Sequence, residues 1–424
     1  MKICFVQPDT DYQIEKNRHA LAMTFPQLIV DLNIENSDYC IYVAGKSTIS
    51  FYDFLKKMEP THVFITSITS TFPYAIEFAY IAKQCKCITV LGGLFASINY
   101  KTIAKYFDCF DYIVSGHPNS SLLLRIKELP STPQYIIYLG YSNYYKPLYD
   151  VITDNRFRSI YNYTDTVCYE LANGCNYNCS FCTMRHAFPN HEIKRRSIDI
   201  IQHDINKLHL CWNKLKLIDD DISLSINILK ELDFKDFKEV IAETRLDNIT
   251  EKNMRIFQKV GITHLIVGVE SFDKSFLTLS GKTRFAQSWN TYIKKVMNLC
   301  LKYNIIIRPV FMITNPNTTI ESLTKCKKQM SDWIPENNVE LLCSFYTPHP
   351  GMSEKNEYQN LLTHNLKYFD HLNCIWLPPL IKKNNIHELC EIYDDIVFIT
   401  KSSEYNPKIK LTFDDDKKMD CFFR

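Results

Sequence analysis

Short apolar runs alternate with amphipathic stretches along most of the chain. In the N-terminal third the runs fall at 2–6, 39–43, 61–66, 87–91 and 111–115, with helical spacing of apolar residues between them, as at 73–83 and 100–107. Strand and helix alternating in this way predict a doubly wound, Rossmann-like parallel sheet over residues 1–140. Residues 141–165 are rich in tyrosine and polar residues, carry Pro147 and read as a linker. From 166 the alternation resumes. Six apolar runs, at 167–171, 215–218, 238–242, 263–268, 305–311 and 339–344, predict six further βα units, ending near 350. Helical patterns near 354–367 and 386–402 predict a helical extension over 351–424. The fold class is α/β throughout.

In open α/β sheets ligands sit beyond the carboxyl ends of the strands. In the N-terminal sheet those ends carry Thr66, Ser67, Ser70 and Thr71, then Gly92 and Gly93, then Gly116. Small and hydroxyl-bearing residues let a bulky ligand approach the backbone and accept its hydrogen bonds. In the second half the ends read Ile218-Asp-Asp-Asp221, Glu243-Thr-Arg245, Gly268-Val-Glu270-Ser271, Thr314-Asn-Pro-Asn317 and Tyr346-Thr-Pro-His-Pro-Gly351. Asp219 and Asp220 either face a substrate or cap the helix that follows. Lys282, Arg284 and Arg308 are candidate substrate-side charges.

Composition narrows the classes. Lys and Arg total 49 against 47 Asp and Glu, so no bulk charge favours nucleic acid or an anionic membrane. No apolar segment is long enough for a spanning helix, and the N-terminal run to Pro8 is too short for a signal peptide. Sixteen cysteines, scattered rather than framed in a small domain, read as reduced thiols of a cytoplasmic protein.

Three of those cysteines stand apart. Cys175-Asn-Tyr-Asn-Cys179-Ser-Phe-Cys182 places three thiols on one short loop just after the first strand of the second half. Three thiolates so close can hold three corners of a [4Fe–4S] cube and leave the fourth iron without a protein ligand. An open metal position is where chemistry is done. Zinc is the other reading, but it wants a fourth ligand at a suitable spacing, and His186 stands alone.

The loop, with Phe181 before its third cysteine, resembles the cluster-binding loop of radical S-adenosylmethionine (SAM) enzymes. The five strand ends after it resemble, in order and spacing, the class B, cobalamin-dependent branch. The resemblance implies an open (β/α)6 barrel over 166–350 behind a cobalamin-binding-type domain over 1–140. It implies a [4Fe–4S] cluster on Cys175, Cys179 and Cys182. It places SAM against Phe181, Arg245, Gly268, Glu270 and Ser271, with Glu270 and Ser271 taking the ammonium and Arg245 a carboxylate or ribose. Cleavage of SAM to a 5′-deoxyadenosyl radical would then follow, with the cofactor carrying the hard chemistry. Cobalamin would lie on Thr66, Ser67, Ser70, Thr71, Gly92, Gly93 and Gly116. The chain lacks an Asp-x-His-x-x-Gly motif, and Ser115-Gly-His-Pro stands where the family often has Gly-Glu-Gly-Glu. The domain is therefore either a cobalamin site or a retained Rossmann-like fold without one. The implied activity is methylation of an unactivated carbon on a small-molecule or peptide substrate, with flavodoxin or ferredoxin as reductant. The alternatives are a cobalamin-free mutase, cyclase or epimerase with a cysteine hydrogen donor, and a non-catalytic cobalamin or iron–sulfur sensor. Cys343, Cys374, Cys390 and Cys421 are the isolated cysteines considered as donors.

Overall fold

The computed structural model of the chain describes residues 1–9, 24–117, 121–129, 135–139, 146–161, 165–188, 193–332, 339–352, 366–368, 377–382 and 385–399. Its N-terminal sheet has six parallel strands: β1 (Ile3–Gln7), β2 (Tyr39–Val43), β3 (His62–Thr66), β4 (Ile88–Gly92), β5 (Tyr112–Gly116) and β6 (Tyr135–Leu139). Their order is β2-β1-β3-β4-β5-β6, so the winding reverses between β1 and β3. Five of these strands lie where the apolar runs predict them. The sixth, β6, sits at the edge of the stretch read as a linker. Burial on both faces explains the near-continuous apolar character of these strands. Phe5, Phe64, Val90 and Val114 pack into one core, and Val6, Ile65, Leu91 and Ile113 into another on the opposite face.

The described part of the stretch 141–165 is a packed joint rather than a solvated tether. Among its described residues are two short helices, Tyr149–Ile152 and Asn155–Tyr161. They bury Leu148, Ile152 and Phe157 in a core that also holds residues of both sheets. The buried Asp204 carboxylate accepts the N–H groups of Leu148 and Tyr149 at 2.9–3.1 Å and fixes the first of these helices.

Beyond the joint come β7 (Thr166–Tyr169), a two-stranded ribbon of β8 (Ala172–Asn173) and β9 (Lys194–Arg195), then β10 (Lys214–Leu217), β11 (Glu239–Arg245), β12 (His264–Glu270), β13 (Ile306–Met312) and β14 (Leu342–Ser344). Apart from the ribbon they form one parallel sheet in chain order, β7 to β14, which is the topology of an open six-stranded barrel. Helices begin where the sequence supplies caps: Ser197, Thr250, Asp273 and Thr319 each accept an N–H of the first turn. Along β12 and β13 buried and half-buried positions alternate. The buried set, including Leu265, Val267 and Phe311, joins the core under the helices. The inner set therefore points into the lumen and includes Cys168, Lys216, Glu243, Gly268 and Glu270. A closed barrel of this type fills its interior with branched apolar side chains; here charged and thiol side chains share the inner wall with apolar ones such as Ile266 and Val310.

The carboxyl ends of the two sheets face each other. The helix Leu94–Tyr106, which follows β4, packs on the helix Thr183–Ala187 of the cysteine loop. Thr69, beyond β3, meets His349 Nδ1 at 3.0 Å, and Asn99 donates to the Pro350 carbonyl at 3.1 Å. His117, beyond β5, stacks on Phe188 with centroids 3.9 Å apart. At the far end the helix Ile386–Ile399 packs on Ile320–Ser331. The helical pattern at 354–365 lies outside the described residues. Among the described residues no helix is long and apolar enough to cross a membrane.

Candidate functional site

Two aspartates pin the start of the cysteine loop. Asp219 is fully buried and spends both carboxylate oxygens on the N–H groups of Leu171 and Ala172, at 2.9 Å each. Asp220 accepts from Gly174 N at 3.1 Å. Burial raises Asp219 from its ordinary 3.8 to about 8. Burial, then the charge of Glu170, raises Asp220 to about 7. From there the loop turns on Cys179, whose carbonyl accepts Cys182 N at 3.1 Å, while Ser180 N donates to the Ser280 carbonyl at 2.8 Å.

The turn brings Cys175, Cys179 and Cys182 onto one cavity of about 160 Å³ at the carboxyl end of the barrel. Phe181, Tyr177, Asp220, Arg245, Glu270 and Lys282 share its wall. Burial, ahead of the nearby Asp220 and Asp221 carboxylates, pushes the Cys175 thiol up to about 12, and burial also raises Cys182. Metal-free, Cys175 and Cys182 are therefore neutral near pH 7, and binding a metal there must expel their protons. Among the described residues no three His, Cys, Asp or Glu side chains converge on a single-ion site. Ligands that each hold a different iron of a cube need no such convergence.

Arg245, at the end of β11, buttresses this loop. Its Nη1 donates to Cys179 Sγ at 3.1 Å, Nε and Nη2 hold Asp247 at 3.0 and 2.9 Å, and Nη2 also reaches the Lys282 carbonyl. The guanidinium lies 3.8 Å over the Tyr177 ring, and Tyr177 in turn donates to Asn248. Opposite stands a buried ion pair, Lys282 Nζ to Glu270 Oε1 at 2.8 Å. Glu270 sits on a β-bulge with φ 69°. That left-handed conformation costs a non-glycine residue about 1–2 kcal/mol, and here it aims the carboxylate at the cavity. Gly268 makes the room: a Cβ there would lie 2.3 Å from Glu270 Oε1 and 2.7 Å from Lys282 Nζ.

No family model matches the chain. An anaerobic magnesium-protoporphyrin IX monomethyl ester cyclase from Rubrivivax gelatinosus is 24% identical over 347 residues, covering 69% of this chain and 57% of the cyclase. The chain thus spans little more than half the cyclase's length. A bacteriochlorophyllide d C-8(2)-methyltransferase from Chlorobaculum tepidum is 23% identical over 327 residues, covering 70% of this chain and 67% of that protein. Among solved structures, the radical SAM methyltransferase TsrM from Kitasatospora setae, with cobalamin and a [4Fe–4S] cluster bound, superposes with a TM-score of 0.64. It is 15% identical and covers 82% of this chain and 77% of its own. By fold, the chain is similar to this cobalamin-bound radical SAM methyltransferase.

Not every residue marked in the sequence reaches the mouth of this barrel. The three cysteines, Phe181, Arg245, Asp220 and Glu270 do. Ser271 lies apart from that wall: its hydroxyl accepts from Asp273 N at 3.0 Å and from Asn315 Nδ2 at 3.3 Å, bracing the β12 and β13 ends. Arg245 has its fork occupied by protein groups, so it supports the loop rather than offering itself to a carboxylate. Asp219 is a backbone clamp, and the capping role falls to Asp221, which accepts from Ser223 N. Arg308 lies near the amino end of β13, paired with Glu340 at 2.5 Å and Glu239 at 3.7 Å, at the barrel floor and away from the chemistry. Arg284 is exposed on the outer surface.

In the N-terminal domain Thr66, Gly92, Gly93 and Gly116 line a second, apolar cavity of about 40 Å³ with Phe25, Leu28 and Val114. Gly93 has φ 94°, and a Cβ there would strike Ser67 O at 2.5 Å. Ser67 bonds the Gly92 carbonyl, and Thr71 accepts from Ile68 N at 3.0 Å. Ser67, Ser70 and Thr71 are buried and do not line this cavity. Sequence reasoning missed Tyr177, whose signal was its place inside the cysteine loop, and Cys168, which strand alternation alone would have turned inward.

Proposed function

We propose that this chain is a cobalamin-dependent radical SAM methyltransferase that alkylates an unactivated carbon of a small-molecule or peptide substrate. One observation carries the reading: three cysteine thiols share a cavity with a paired carboxylate and ammonium, at a barrel mouth turned toward a glycine-edged Rossmann sheet. The relatives support it, since one is named a methyltransferase and the superposed structure is a methyltransferase with cobalamin bound.

The residues at the barrel mouth fit the cluster and SAM. Cys175, Cys179 and Cys182 would hold the cluster, with the Arg245 N–H on Cys179 stabilising its thiolate. Glu270 and Lys282 offer complementary charges to the ammonium and carboxylate of SAM, in a place where only 13% and 5% of their side chains are exposed. When bound, cluster and SAM together supply a 5′-deoxyadenosyl radical, and cobalamin supplies the methyl group. The chain's own part is to position these ends and keep water out. Thr66, Gly92, Gly93 and Gly116 would edge the corrin side. The electron comes from a small reducing protein of the flavodoxin or ferredoxin kind.

A second reading keeps the radical and drops cobalamin, giving a cyclase, mutase or epimerase. It is favoured by one relative being named a cyclase and by Cys168, a thiol on the inner wall near Lys216 and Glu243. Cys343, by contrast, is buried under Met330, and Cys374 and Cys421 lie outside the described residues. Purification from a host fed hydroxocobalamin separates the two. Bound corrinoid, together with 5′-deoxyadenosine on adding SAM and reductant, supports the methyltransferase. A corrinoid-free protein that still cleaves SAM would leave only the second reading.

A further inference from the structure

The turn that closes the cavity has a second face. Lys282 points inward to Glu270, while its neighbours point out: Leu279 is 81% exposed and Phe285 60%. Nothing about this turn is loose. Gly281 N and Lys282 N donate to the carbonyls of Thr278 and Leu277 at 3.1 and 3.0 Å, and Phe285 N donates to Thr283 Oγ1 at 3.0 Å. The helix Lys274–Leu279 packs against the turn Ala286–Ser288, so the two large apolar side chains are held in water by a built scaffold. Leu279 and Phe285 thus stand exposed at the two ends of one ordered turn.

Its location says what the site is for. The turn sits directly on the cysteine loop: Ser180 N bonds Ser280 O at 2.8 Å, and the Gly281 carbonyl lies 4.0 Å from Cys179 Sγ. The exposed charges beside it are Lys274 and Arg284, with Arg185 reaching Asn178 O from the loop itself, and no exposed carboxylate lies between 274 and 288. We propose that the turn Leu279–Phe285 is the docking surface for a small acidic electron-transfer protein. This rests on the radical reading above. The donor, a reduced flavodoxin or ferredoxin, gives up one electron to the cluster side of the loop; no bond or proton changes hands. Two apolar anchors, with Lys274 and Arg284 exposed in the same segment and Arg185 on the adjoining loop, suit the small, electrostatically steered interfaces of such transient pairs.

The test measures binding and turnover separately. Binding of a purified acidic flavodoxin to the full chain is followed by calorimetry, with and without reconstituted cluster. 5′-Deoxyadenosine formation is followed with flavodoxin or with dithionite as the reductant. The double substitution Leu279→Ser/Phe285→Ser, and separately Arg284→Glu, should each weaken flavodoxin binding at least about tenfold. They should slow flavodoxin-driven cleavage and leave the dithionite-driven rate unchanged. Flavodoxin binding and turnover at wild-type levels in both variants would overturn the proposal. So would a wild-type dimer that the double substitution splits, which would assign the turn to a second copy of the chain. Wild-type protein that makes no 5′-deoxyadenosine with dithionite would instead bring down the radical reading and this proposal with it.

Discussion

Gly268→Ala adds one methyl group at the most crowded point of the site. Its Cβ would stand 2.3 Å from Glu270 Oε1 and 2.7 Å from Lys282 Nζ, where ordinary contact begins at 3.4 Å. Both atoms are the ends of flexible side chains, so they yield before the backbone does. The carboxylate must retreat by about 1 Å, and the 2.8 Å bond between the two then opens beyond hydrogen-bond reach. Overpacking of this kind costs the fold about 1–3 kcal/mol. The lost bond between charged groups is worth about 1.5–3 kcal/mol. If the pair orients the amino-acid end of SAM, the same energy lost from the transition state slows cleavage about 10- to 150-fold. Single-turnover formation of 5′-deoxyadenosine measures it, in protein matched to wild type for iron and cluster absorbance. Cleavage within twofold of wild type, with the cluster intact, would refute the role given to the pair.

Arg245→Met removes the partner of Asp247, whose side chain is only 13% exposed, and the N–H on Cys179. Loss of one member of a buried pair costs about 3–5 kcal/mol, read from urea unfolding, and cluster yield on reconstitution should fall; near-wild-type stability would show that water already serves Asp247. Asp219 gives a pH signature. Its pKa rises from 3.8 to about 8 on folding, mainly through burial, so between those values the native state keeps a proton that the unfolded chain has lost. Its contribution therefore makes stability fall as pH rises across that window, by up to about 1.4 kcal/mol per unit. Asp219→Asn should remove that slope while costing about 1–3 kcal/mol for an N–H left without an acceptor, and a stability gap from wild type that stays constant with pH would contradict this. Arg308→Ala should leave SAM cleavage unchanged and cost about 0.2–1 kcal/mol, and a collapse of cleavage would place Arg308 in the substrate site after all.

The apolar runs were enough to find eleven of the twelve strands of the two large sheets, because parallel strands buried on one or both faces announce themselves locally. The exception, β6, reads Tyr-Ile-Ile-Tyr-Leu beside tyrosine-rich polar sequence, so nothing local set the strand apart from the linker that follows it. The cysteine spacing was legible because it is local too. What the sequence could not disclose is how a side chain's bonds are already spent. Arg245, Ser271 and Asp219 have the right chemistry at the right strand ends. Whether each faces the cavity or its own scaffold depends on partners 37 to 48 residues away: the Lys282 carbonyl, Asn315 and the Leu171 N–H. Lys282 shows the converse, a charge whose importance appears only when the bulge at Glu270 turns a carboxylate toward it.

The account depends on a cluster held by three thiolates with one iron left for SAM. Electron paramagnetic resonance of the reduced, reconstituted protein, with and without SAM, addresses this most directly. The prediction is a [4Fe–4S] signal that changes when SAM is added and is missing in Cys179→Ala. A cluster that survives loss of Cys179, or a signal that SAM leaves untouched, would contradict it.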